Sequence, residues 1–121
     1  MENVSEEEKW ESIQAFRSTI RKSENALTNL TQKGTNTTLI KKRLNAVYIG
    51  LAMLETAWNR MPNHYTDEEL TEARKILNGL FPSLENSYSK SKLGSPQNTL
   101  LRRRIKAFQL AVQAMDDFAN K

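Results

Sequence analysis

The sequence predicts an all-α fold, an antiparallel four-helix bundle formed by two duplicated αα-hairpins about a pseudo-twofold axis, with the third helix kinked near Pro82. Three observations predict it. Apolar residues recur at three- and four-residue steps along four stretches. Gly34, Pro62 and the Gly94-Ser95-Pro96 run separate those stretches. A shift of 61 residues then lays the second half of the chain on the first. No segment alternates in the manner of a strand.

Helix 1 is predicted from Ser5 to Gln32, because Ser5 and Glu8 have the spacing of a capping box and Gly34 supplies a stop. Trp10, Ile13, Phe16, Ile20, Leu27 and Leu30 mark its apolar side. Helix 2 carries the most regular seam, Ile40, Leu44, Val47, Leu51, Leu54, Trp58 and Met61, before Pro62 ends it. Such a rhythm favours the shallow packing of a bundle. Thr66 and Glu69 cap helix 3, with Tyr65 and Leu70 at the spacing of a hydrophobic staple. Its apolar side is Leu70, Ala73, Leu77, Leu80, Leu84 and Tyr88. Gly79 and Pro82 interrupt it, and an interior proline costs about 3 kcal/mol, so a kink or short break is expected near Phe81. Helix 4 follows the turn, with Leu101, Ile105, Phe108, Val112 and Met115 facing the core.

In the repeat, residues 38–47 fall on residues 99–108 with nearly every pair alike in size or charge. Leu54 then meets Met115 and Glu55 meets Asp116. Upstream, Glu24 and Asn25 meet Glu85 and Asn86, while Phe16, Ile20 and Leu27 meet Leu77, Phe81 and Tyr88. Heptads alone make any two amphipathic helices look alike. They do not explain a Thr-Leu start followed by three cations in both copies. The expected organisation is one domain over residues 1–121, with repeats at 5–61 and 66–119; hairpins exchanged between two chains satisfy the same pattern.

Composition narrows the function. A chain of 121 residues with 38% apolar and 26% charged residues supports one modest core. It has no cysteine, hence no disulfide framework and no thiolate chemistry. The start of the chain is acidic (Glu2, Glu6, Glu7, Glu8) and lacks the apolar stretch of a signal peptide, so an intracellular, cytoplasmic location is expected. No apolar run approaches the roughly 20 residues of a transmembrane helix.

The charged residues suggest a site. Lys41, Lys42 and Arg43, like Arg102, Arg103 and Arg104, sit in the first turns of helices 2 and 4, against the macrodipole. An up-down-up-down bundle would gather both triplets at one end, joined by Lys33, Lys90 and Lys92. The acids Glu6, Glu7, Glu8, Asp67, Glu68, Glu69, Asp116 and Asp117 would collect at the other. Glu24 and Glu85 are placed to pair with Arg43 and Arg104, leaving Lys41, Lys42, Arg102 and Arg103 as the candidate anion-binding set. The hydroxyls of Thr37, Thr38 and Thr99 and the free N–H groups of the helix starts would assist. Trp10, Trp58, Phe16 and Phe108 fall on apolar seams, which assigns them to the core rather than to nucleobases.

Catalysis finds no such support. His64 is the single histidine and falls in a loop. Glu55, Asp116, Glu68, Glu69 and Glu72 lack the Glu-x-x-His pairing of metal-binding bundles. No catalytic residue, metal, cofactor or small-molecule substrate is therefore expected. The expected function is a non-enzymatic helical module for protein–protein interaction or self-association. The alternative is a basic assembly module that binds nucleic acid or an acidic membrane surface through Lys41–Arg43 and Arg102–Arg104.

Overall fold

Local chemistry sets where each helix begins. In the computed structural model, which describes residues 3–120, the Ser5 hydroxyl accepts the Glu8 N–H and the Glu8 carboxylate accepts the Ser5 N–H. This reciprocal box opens α1 (Glu6–Gln32). Thr66 and Glu69 make the same exchange at the start of α3 (Asp67–Lys90). Ser95 caps α4 (Pro96–Ala119) through the Asn98 N–H, with Pro96 in the first helical position. α2 (Thr38–Asn59) has no side-chain cap from Thr37; the Asn36 side chain accepts the Thr38 N–H instead. No strand occurs among the described residues. Glu2, part of the acidic start, lies outside them.

The helix ends correct two expectations. α1 stops where Gly34 takes a left-handed φ of 69°. α2, in contrast, ends at Asn59 rather than running to Pro62. Arg60 adopts a left-handed φ of 54° and donates its N–H to the Glu55 carbonyl. Met61, the expected last seam residue, is therefore outside the helix and exposed. Of the kink or short break expected near Phe81, the break is absent, and α3 continues through Pro82 without interruption. Pro82, Gly79 and Asn78 are all exposed, so water can reach the Asn78 carbonyl that the proline leaves without a donor.

The core is broader than the seams. Phe16, Leu44, Val47, Leu54, Leu77, Leu101, Phe108 and Met115 are buried as their positions predict. Ala46, Ile49, Met53, Ala107, Leu110, Ala111 and Ala114 are buried as well, on sides of α2 and α4 that the heptads leave out. The reason is neighbour number. α2 packs on α1, α3 and α4, and α4 packs on the other three, whereas α1 and α3 do not touch each other. Two helices are central and two flank them. Leu51, Ile105 and Val112, expected on the core-facing seams, are only half-buried.

Within each hairpin the helices run antiparallel. Glu24 accepts the Tyr48 hydroxyl proton across the first hairpin. Arg74 meets Asp116 across the second, with Phe81 and Phe108 edge to face at 6.5 Å between them and the turn. Between the hairpins, Leu77 lies against Gly50, where an added Cβ would stand 3.2 Å from its Cδ1. Lys42, Asn45 and Ala46 share a groove with Glu68, Glu69, Glu72, Ala73 and Ile76. Arg60, just past the end of α2, and Asp67, at the start of α3, both border Phe118, so the end of α2 meets the start of α3.

Candidate interaction surface

Acids and bases mix along the helices. Lys42 of α2 shares a groove with Glu68, Glu69 and Glu72 of α3 instead of lying at the far end from them. Arg102, Arg103 and Lys106 of α4 likewise share a groove with Glu8, Glu11 and Ser12 of α1. There the contact is a formed ion pair, with Arg103 Nη2 2.8 Å from Glu11 Oε2. The start of α3 also borders the last turns of α4.

Members of the triplets differ in their surroundings. Lys41, Lys42, Arg43 and Arg102 are exposed, and Arg103 is half-buried in its ion pair. Arg104 is only 8% exposed, and its Nε has no hydrogen-bond partner. Burial lowers its pKa from the ordinary arginine value, because the charged form is the one that loses water. The expected pairs of Arg43 with Glu24 and Arg104 with Glu85 are not formed. Glu24 is taken by Tyr48, whose pKa is raised by that hydrogen bond, while Glu85 points to solvent. No acid stands in the first turn of α2 or α4, so Lys41, Lys42 and Arg102 remain beside uncompensated helix starts.

Large apolar side chains on the surface were not foreseen. Trp10 is 61% exposed and Leu93 87% exposed; Leu39, Met61 and Leu100 also reach solvent. Trp10 lies six residues before Phe16, hence about 120° away around the helix at 100° per residue. Successive three-residue steps from Phe16 through Ile13 to Trp10 walk off the buried side. Leu93 stands between Lys92 and Gly94 in the turn from α3 to α4, off any helical face, and that position was the available signal. Trp58 and Phe118 by contrast are half-buried against the core.

A groove of about 510 Å³ lies between the start of α3 and the end of α4. Leu70, Met115 and Phe118 form its apolar floor, and the ion pair of Arg74 with Asp116, 2.6 Å at Nε, forms one wall. Asp116 raises the pKa of Arg74 through that hydrogen bond. Among the described residues no cluster of three His, Asp or Glu side chains is placed to hold a metal ion, and His64 is exposed in the link between α2 and α3. No helix among them is long and apolar enough to cross a membrane. Comparison with protein-family models, curated proteins and solved structures finds no match to this chain.

Proposed function

We propose that this chain is a non-enzymatic helical module that associates with another protein or with itself through apolar side chains held at its surface. The observation that carries the reading is the exposure of Trp10 and Leu93 on a chain whose core is already filled by other residues. A solvated indole and leucine are favourable contact groups, since burying each contributes about 1.5 to 3 kcal/mol. Tryptophan is also enriched where interfaces concentrate their binding energy. The test is sedimentation of the purified protein over a wide concentration range, beside the Trp10→Ser/Leu93→Ser variant. Association that weakens in the variant supports the reading; wild type and variant sedimenting alike at every concentration removes self-association through these residues.

The same proposal includes the origin of the architecture, a duplicated hairpin with pseudo-twofold symmetry. Its support is that contacts recur at the 61-residue offset. Lys42 with Glu69 and Glu72 in one groove corresponds to Arg103 with Glu8 and Glu11 in the other. Met53, Thr56 and Ala57 lie against Ala114, Asp117 and Phe118, their own counterparts, as residues beside a twofold axis do. A bend in α3 at Pro82 would be a departure from that symmetry, since Arg21 occupies the corresponding position in α1.

A second reading keeps the exposed cations. Lys41, Lys42 and Arg102 stand in solvent at two helix starts without acids in their first turns, which suits phosphate oxygens. Titration of a labelled polyanion should show weak, strongly salt-dependent binding that falls when Lys41, Lys42, Arg102 and Arg103 become Gln. Equal binding by wild type and variant dismisses it.

A further inference from the structure

We infer that two copies of this chain exchange hairpins, the segment from Arg60 to Thr66 acting as the hinge, so that α1 and α2 of one copy dock on α3 and α4 of the other. This goes beyond association through Trp10 and Leu93, because the surfaces involved are those already buried between the hairpins.

The connections differ in kind. The links from α1 to α2 and from α3 to α4 each contain a hydrogen-bonded turn with a glycine at positive φ, Gly34 or Gly94. They close their hairpins locally. The link over residues 60–66 contains no turn or bend at any position. It opens with Arg60 held left-handed at φ 54°, a conformation that a side chain with a Cβ rarely adopts, and Pro62 follows two residues later. An unturned link with a strained residue at its root is the element that changes most readily between closed and open forms.

The contacts themselves do not depend on which chain supplies them. All packing between hairpins is made by α1 on α4, α2 on α3 and α2 on α4. Glu11 with Arg103 and Gly50 with Leu77 fix the register there, and both contacts re-form unchanged when the second hairpin comes from another copy. Closed and exchanged forms thus bury the same surfaces, and concentration together with hinge strain decides between them.

The experiment refolds the full chain from denaturant at low and at high concentration and measures mass by light scattering after size exclusion. A variant lacking residues 61–64 and the Trp10→Ser/Leu93→Ser variant are treated in the same way. Wild type should give a dimer fraction that rises with refolding concentration and persists on dilution, because release requires the hairpins to separate. The deletion leaves three linking residues, and because a shortened hinge favours exchange its dimer fraction should exceed that of wild type at every refolding concentration, with undiminished helical circular dichroism. The Trp10→Ser/Leu93→Ser variant should form the persistent dimer as wild type does. A wild type that refolds only as monomer, or a deletion variant whose dimer fraction is no higher than that of wild type, overturns the exchange. A dimer that dissociates at once on dilution and disappears in the Trp10→Ser/Leu93→Ser variant overturns it too, while supporting the surface reading instead.

Discussion

The two hairpins solve one packing problem with different residues. In the first, the large Phe16 of α1 is accommodated by Gly50 of α2, where an added Cβ would come within 2.8 Å of the ring. At the same 61-residue offset the second hairpin has Leu77 and Ala111. All four positions are buried. In both pairs the larger residue stands on the first helix and the smaller on the second, and the volume that Leu77 lacks beside Phe16 is made up by Ala111 beside Gly50, so the two pairs fill similar volume with different residues. Phe16 also stacks on Phe108 at 5.1 Å, so the glycine in α2 indirectly supports the contact between hairpins.

The strongest way to break this comparison is to empty the larger half. Phe16→Ala should destabilise the fold by about 3 to 5 kcal/mol, from lost transfer energy and a cavity beside Gly50 that no neighbouring Cβ fills. Denaturant unfolding measures it. A cost near that of an ordinary surface substitution would mean that Phe16 is not the anchor its complete burial indicates.

A sharper version overfills the same place. Gly50→Ala adds a helix-favouring residue worth about 1 kcal/mol in isolation, yet should destabilise by about 1 to 3 kcal/mol because the ring of Phe16 cannot retreat. Adding Phe16→Leu to it recreates the arrangement of the second hairpin and should recover part of the loss. Unfolding of the single and double variants tests this as a mutant cycle. An additive double variant would show that the two positions do not share space.

Arg43 and Arg104 are the next unlike pair. They occupy matching places, but the first is exposed and the second buried without a hydrogen-bond partner for its Nε. Arginine remains charged at any workable pH even with its pKa lowered, so the burial is a standing cost. Arg104→Met should keep the packing of the aliphatic stem and raise stability by about 1 kcal/mol, whereas Arg43→Met should change it by less than about 0.5 kcal/mol. Thermal melts of both decide the matter. A large loss in Arg104→Met would reveal a favourable contact of its guanidinium in solution.

These pairs also show what could be read from the residues alone. Caps and stops are local, so Ser5 with Glu8, Thr66 with Glu69, and Gly34 were legible from spacing. Seam positions such as Leu44, Leu54 and Phe108 were legible because burial on one side imposes a period. Periodicity says which side of a helix is covered and not by what, nor in which direction the neighbour runs. Ala46, Ala107, Ala111 and Ala114 become meaningful only when a third helix lies over them. The grooves that set Lys42 beside Glu69 and Glu72, and Arg103 beside Glu8 and Glu11, depend on contacts between residues distant in sequence. The Arg43–Glu24 and Arg104–Glu85 pairs failed because Tyr48 and burial compete for their members.

The smallest expected effect separates the two charged junctions. Arg103 and Glu11 form an ion pair with side chains 41% and 21% exposed, whereas no ion pair joins Lys42 to Glu68, Glu69 or Glu72 among the described residues. Arginine's planar fork can hold a carboxylate in a fixed direction, while a lysine head in the same groove stays hydrated. Glu11→Gln should therefore cost about 0.2 to 1 kcal/mol, toward the upper figure because Arg103 Nε is already buried without a partner. Glu72→Gln should change stability by less than that. Salt supplies the control, since at about 1 M the screening length falls to about 3 Å and the exposed share of the Glu11 contribution should shrink. Urea unfolding of both variants at low and high salt reads the difference. Equal losses that vanish together in salt would place an ion pair at the Lys42 junction as well and make the two junctions alike. A Glu11→Gln loss that persists in salt would instead assign its value to the hydrogen bond with Arg103 rather than to charge.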